Sequence, residues 1–204
     1  MGIFFMGLIW HVRLVLSQRK RNKMMMMKFS LVLTFCLIGF SSMGQLFMAQ
    51  NGEVSFFSKT PLEDIDATNK QVSSIINTAN NEVAVQMRVT QFTFPNKLMQ
   101  EHFNENYLES EKYPSATFKG KIKEVVDLKV PGTYTITTVG TATIHGVTKP
   151  IEIKGTIVST GQTLTFTGQF DIKLVDYKVD IPKIVFAKIA ESVQVKSKIL
   201  YQIR

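Results

Sequence analysis

The sequence predicts an all-β fold, about eight antiparallel strands closed as a barrel or stacked as a sandwich, with one helix between strands. Three observations carry this. Apolar and polar residues alternate one by one along most of the chain beyond residue 53, and side chains of a strand alternate faces with that period. Each such stretch has one apolar and one wet face, which suits antiparallel pairing rather than a buried parallel sheet. The connections "TANNE", "VPGT", "IHGVTK" and "STGQT" are short and built of turn residues.

Taken in order, "EVSFFSKT" (53–60) and "QVSSIINT" (71–78) open the series with weak alternation. "NEVAVQMRV" (81–89) sets Val83, Val85, Met87 and Val89 on one face. "SATFKGKIKE" (115–124) does so with Ala116, Phe118, Gly120 and Ile122, leaving Lys119, Lys121 and Lys123 outside. "TYTITTVGTATI" (133–144) contributes Tyr134, Ile136, Gly140, Ala142 and Ile144, and "KPIEIKGTIV" (149–158) contributes Ile151, Ile153, Gly155 and Ile157. "TLTFTGQFDIKL" (163–174) gives Leu164, Phe166, Gly168, Phe170, Ile172 and Leu174; "SVQVKSKILYQI" (192–203) gives Val193, Val195, Ile199 and Tyr201. Gly120, Gly140, Gly155 and Gly168 all fall on the inward face. Glycine weakens a strand interior, so its repetition there marks either tight curvature or room for a ligand. A sandwich core would want bulk at those positions, whereas an eight-stranded closed sheet leaves space for one small ligand.

The helix is expected over "NKLMQEHFNENYLES" (96–110), capped by Asn96 and stopped by Pro114. Met99, Phe103 and Tyr107 form an apolar stripe expected to rest on the sheet. Glu101, Glu105 and Glu109 form a second row with the same spacing, where like charges favour water.

The net charge of +8 does not belong to this body. Arg13, Arg19, Lys20, Arg21, Lys23 and Lys28 all lie in residues 1–44, which hold no acid, so residues 45–204 are left at +2. That near balance gives no electrostatic footprint for nucleic acid. Residues 1–44 read as a leader: Lys23 and Lys28, the apolar run "FSLVLTFCLIGF" (29–40), then Ser42-x-Gly44 before Gln45. The basic, apolar stretch further upstream fits either a start at Met24–Met27 or an uncleaved double-apolar N-terminus. Cleavage implies a periplasmic or secreted protein, with residues 45–204 as its single domain. Cys36, the one cysteine, would leave with the leader, so no disulfide is available to the body.

No catalytic constellation emerges. The glutamate row faces one way from one helix, whereas glycoside hydrolysis needs two acids across a cleft. His102 and His145 stand on different elements with no cysteine near, short of the three or four convergent ligands a metal needs. No G-x-S-x-G elbow, phosphate loop or dinucleotide fingerprint is present. No cofactor is implied. What remains is an apolar inward face, with Phe92, Phe94, Phe118, Tyr134, Ile136, Phe166, Phe170 and Tyr201 as candidates to line a ligand. No lysine or arginine falls on that face, so a neutral, long apolar chain suits it, with any polar head near the mouth. His145 is read there as turn geometry beside Gly146 or as a binding residue at the mouth. The segment 176–191, "DYKVDIPKIVFAKIAE", reads as a plug or a lid.

Two blocks, "FTFPNKLMQEHFNENYLESEKYPSATFKGKI" (92–122) and "GTATIHGVTKPIEIKGTI" (140–157), resemble the YceI-like family. The resemblance runs from about Gly52 to the C-terminus. It implies a lipocalin-like, eight-stranded antiparallel barrel in the bacterial envelope, whose tunnel binds a polyisoprenoid or similar lipid such as a quinone or acyl chain. The chain departs from the family at its start, lacking a tryptophan-led first strand with an Asp and a His-Ser pair, and so does not inherit their headgroup contacts. Two functions follow as expectations: a non-catalytic lipid carrier, or a barrel filled by its own side chains that serves as an interaction module for an envelope protein.

Overall fold

The computed structural model describes residues 45–59, 64–179 and 191–204. The predicted leader, including Cys36, and most of the predicted plug or lid (180–190) lie outside the described residues.

Eight strands form one closed antiparallel barrel in sequence order: β1 (Leu46–Ser58), β2 (Ile65–Asn77), β3 (Glu82–Arg88), β4 (Ser115–Ile122), β5 (Gly132–Ile144), β6 (Val147–Ser159), β7 (Thr163–Lys173) and β8 (Ser192–Ile203). β8 closes the ring by pairing with β1, Phe47 opposite Ile203 and Phe56 opposite Val195. A lipocalin-like barrel, not a sandwich, is the outcome. Closure gives every strand a paired neighbour on both sides.

β1 and β2 are longer than the alternation suggested. Both pass through bulges: their pairing shifts between Ala49 and Gly52 and again between Gly52 and Val54. A bulge flips the inward phase by one residue, which hides a strand from a period-two reading. Asn69, fully buried, fills the β2 irregularity by accepting from the Gln71 amide at 2.9 Å and donating to the Arg88 carbonyl at 2.9 Å.

The inward glycines turn out to serve the barrel's own rings and backbone. Gly120 and Gly140 face each other across β4 and β5. A Cβ on Gly120 would stand 2.6 Å from Phe118 Cζ and from the Val139 carbonyl; one on Gly140 would enter the Lys119 carbonyl. Gly155 and Gly168 pair across β6 and β7, and the Phe166 ring lies over both.

The β2–β3, β4–β5 and β6–β7 connections and both ends of the described barrel lie at one end, called lower here. Phe47, Ile76, Leu164 and Tyr201 seal it, each at most 2% exposed. Leu128, from the β4–β5 connection, is 1% exposed and is held by Ser159, which donates to its carbonyl at 2.7 Å. Ser74 Oγ donates to the Ala84 carbonyl at 2.9 Å, so the Tyr201 hydroxyl is the donor in its 2.8 Å bond to Ser74.

At the upper end, β3 pairs with β2 only as far as Ser73, and the chain after β3 covers the rest of β2 through Thr68 and Thr93. β6 and β7 likewise pair only between Gly155–Ser159 and Leu164–Gly168, so their upper halves part.

Substituting Gly140→Ala is expected to cost about 1–3 kcal/mol in chemical denaturation, because the new methyl must push backbone aside. Burial pushes the Tyr201 hydroxyl up to about 12 from the ordinary 10. The folded chain then keeps a proton that the unfolded chain releases above pH 10, so stability falls as pH rises from 10 to 12, by about 3 kcal/mol in all. Tyr201→Phe should cost about 1 kcal/mol at neutral pH and remove that part of the alkaline loss.

Candidate functional site

A cavity of about 550 Å³ runs through the barrel from Tyr201 and Ile76 at the sealed end to the aromatic residues of the upper end. Among the described residues its wall holds no lysine, arginine, aspartate or glutamate. The strand alternation accounts for this, since the charged residues of each strand occupy the opposite phase. Of the residues singled out in the sequence, Phe92, Phe94, Phe118, Ile136, Phe166, Phe170 and Tyr201 stand on the wall. Tyr134 and His145 do not. Tyr134 lies on the inward phase but near the sealed end, where its hydroxyl donates to the Val130 carbonyl at 2.8 Å.

The upper part of the cavity is roofed by a segment whose character differs from expectation. The helix α1 covers only Lys97–His102, with Asn96 capping it by accepting from the Leu98 amide at 2.9 Å. It continues as one π-helical stretch, Phe103–Tyr107. The wider π turn breaks the four-residue spacing, so the three glutamates do not form one row. Glu101 and Glu105 are exposed, while Glu109, at φ +43°, turns back toward the barrel. The stripe of Met99, Phe103 and Tyr107 lines the cavity instead of lying on a sheet surface. Phe103 joins Phe56, Phe92 and Phe94 in a cluster with ring centroids 5.0–5.8 Å apart. Phe56 and Phe103 were not among the sequence candidates. Phe56 follows a bulge, and Phe103 sits where the helix changes pitch.

His145 latches this segment to the barrel. With Gly146 it makes the two-residue turn between β5 and β6, both at positive φ, +50° and +71°, as a tight hairpin requires. The Tyr113 ring packs on Gly146, where any Cβ would collide with it, and meets the imidazole edge-on at 4.7 Å. Nδ1 bonds the Tyr177 carbonyl at 3.2 Å, and Nε2 bonds Glu109 Oε2 at 2.7 Å. Both partners are acceptors. His145 thus fills its expected turn role, and its ring adds a bond to Glu109 that the sequence reading missed. Among the described residues, no three His, Cys, Asp or Glu side chains are grouped to hold a metal.

The family model for a YceI-like domain matches residues 40–200. The chain belongs to the YceI-like family. Solved structures share its fold. A polyisoprenoid binding domain from Saccharophagus degradans implicated in plant cell wall breakdown superposes with a TM-score of 0.66 at 17% identity, over 78% of this chain and 98% of that one. BcnA of Burkholderia cenocepacia gives 0.61 at 22% identity, over 73% and 95%. The Campylobacter jejuni YCEI protein gives 0.56 at 17% identity, over 72% and 88%. No curated protein matches the sequence. In this YceI-like chain the two blocks that carried the resemblance meet physically, since Glu109 and Tyr113 of one close on His145 and Gly146 of the other.

Replacing His145 with Asn, which tolerates positive φ, is expected to cost about 1–3 kcal/mol by removing a charge-assisted bond. Hydrogen exchange should show the loss concentrated in residues 103–113, with the amides of β7 and β8 unchanged.

Proposed function

We propose that the protein binds one long, neutral, apolar lipid inside the barrel and carries or stores it in the bacterial envelope without transforming it. Isoprenoid, quinone and acyl chains are the candidate classes. The observation that carries this reading is the cavity: about 550 Å³, free of formal carboxylates, lysines and arginines among the described residues, and sealed at one end. That volume lies within the range of roughly 300–1,000 Å³ used for small-molecule sites. Each CH₂ withdrawn from water contributes about 0.8 kcal/mol, so ten buried carbons supply about 8 kcal/mol, near micromolar affinity before the costs of association. Kinship with the polyisoprenoid binding domain supports the same class of ligand. Against the rival reading, a barrel filled by its own side chains, stands the open volume at its centre.

The test is native mass spectrometry of protein purified from its source envelope, followed by denaturing lipid extraction. A stoichiometric apolar adduct is expected. In reconstitution, affinity for a series of isoprenoids should rise with chain length and level off once the cavity is full. A bare mass, together with no uptake of any chain in the series, would overturn the proposal.

A further inference from the structure

At the upper end of the cavity two phenols have hydroxyls with no hydrogen-bond partner among the described residues. Tyr177, at the end of the short 3-10 turn Leu174–Tyr177, is 4% exposed and stands on the cavity wall. Its backbone carbonyl is held by His145, but its hydroxyl bonds no described residue. Tyr107, from the π-helical stretch, lines the same cavity two residues before Glu109 of the latch.

Tyr177 also borders a second, smaller space. Where the upper halves of β6 and β7 part, a groove opens between Lys149, Pro150 and Ile151 on one side and Asp171, Ile172 and Lys173 on the other, with Asp176 and Tyr177 at its end. Ile151, Ile172 and Tyr177 line both groove and cavity, so the two spaces share a wall. Pro150 has no N–H to leave unpaired where the strands separate. Two lysines and two aspartates face this groove, and none of the four is in an ion pair with another described residue. Their charges balance, so the groove offers water-like polarity without net attraction for an anion or a cation.

We propose that Tyr177, assisted by Tyr107, forms a head subsite where the cavity meets the β6–β7 groove, and that it takes a neutral head bearing a hydroxyl or carbonyl oxygen. The subsite rests on the lipid-binding reading above and names the end of the ligand that reading leaves open. The apolar chain lies toward Tyr201, and the head accepts a hydrogen bond from the Tyr177 hydroxyl. Burial pushes the Tyr177 hydroxyl up, with Asp176 adding to the shift, and pushes Tyr107 up as well. Both phenols therefore remain donors across the physiological range. A diphosphate head would meet Asp171 and Asp176 as well as the lysines, and gains no advantage here.

Three probes with one shared geranylgeranyl chain test this: the hydrocarbon, the alcohol and the diphosphate, titrated against the whole protein by native mass spectrometry. The alcohol should bind roughly three- to tenfold more tightly than the hydrocarbon, the worth of one hydrogen bond. Tyr177→Phe should erase that preference, and circular dichroism with thermal unfolding should show that the variant is folded. Tyr107→Phe should erase a smaller part. An undiminished preference for the alcohol in Tyr177→Phe, or tightest binding of the diphosphate by the native protein, would overturn the head subsite while leaving the lipid-binding reading standing. Failure of all three probes to bind the native protein would overturn both.

Discussion

Everything in this molecule follows from the pairing of β8 with β1. Once those strands meet, backbone donors and acceptors around the lower ring are satisfied within the sheet, and the inward side chains must fill a tube of fixed circumference. Eight strands give an interior that side chains can just fill or that can hold one small ligand. The chain fills the lower third with Phe47, Leu128, Leu164 and Tyr201 and leaves the remainder open. The open part is hydrophobic because of the strand period: each charged residue sits one position away from an inward one.

The two ends of the tube are finished by opposite means. The lower end is closed by its own core residues, with the Tyr201 hydroxyl there tied to Ser74. The upper end is closed by a segment borrowed from the β3–β4 connection, whose phenylalanines pack mainly on each other and on Phe56. The segment from Phe103 to Tyr113 is fastened by a few directional contacts centred on His145. Local opening draws on regions with few buried apolar contacts, and no residue of α1 is buried. Among the described residues of the upper end, α1 is therefore an element that opens cheaply.

Much of this was legible in the sequence because antiparallel strands with one wet face write their orientation into every second residue. β3 to β8 could be read in that way, and with them seven of the nine residues singled out for a ligand. The failures have local causes. Bulges at Gly52 and beside Asn69 reversed the phase of β1 and β2 and concealed Phe56 as an inward ring. The π turn displaced Glu109 from an apparent solvent row into the latch. Tyr134 has the right phase but the wrong height, since alternation fixes a face and not a depth along the barrel. The inward glycines invited two explanations because a missing side chain does not say whether a ligand or a neighbouring phenylalanine takes its place; Phe118 and Phe166 take it here.

The placement of the termini has a practical consequence. Gln45 is tied to Thr78 of the β2–β3 turn and Arg204 donates to the Leu46 carbonyl, so both ends of the described barrel sit beside its sealed floor. A linker attached at either terminus would hold the barrel by its floor, with α1, the His145 turn and the β6–β7 groove directed away from the support. The fold is thus suited to oriented immobilisation, for example on a sensor surface that must leave the upper end of the cavity free.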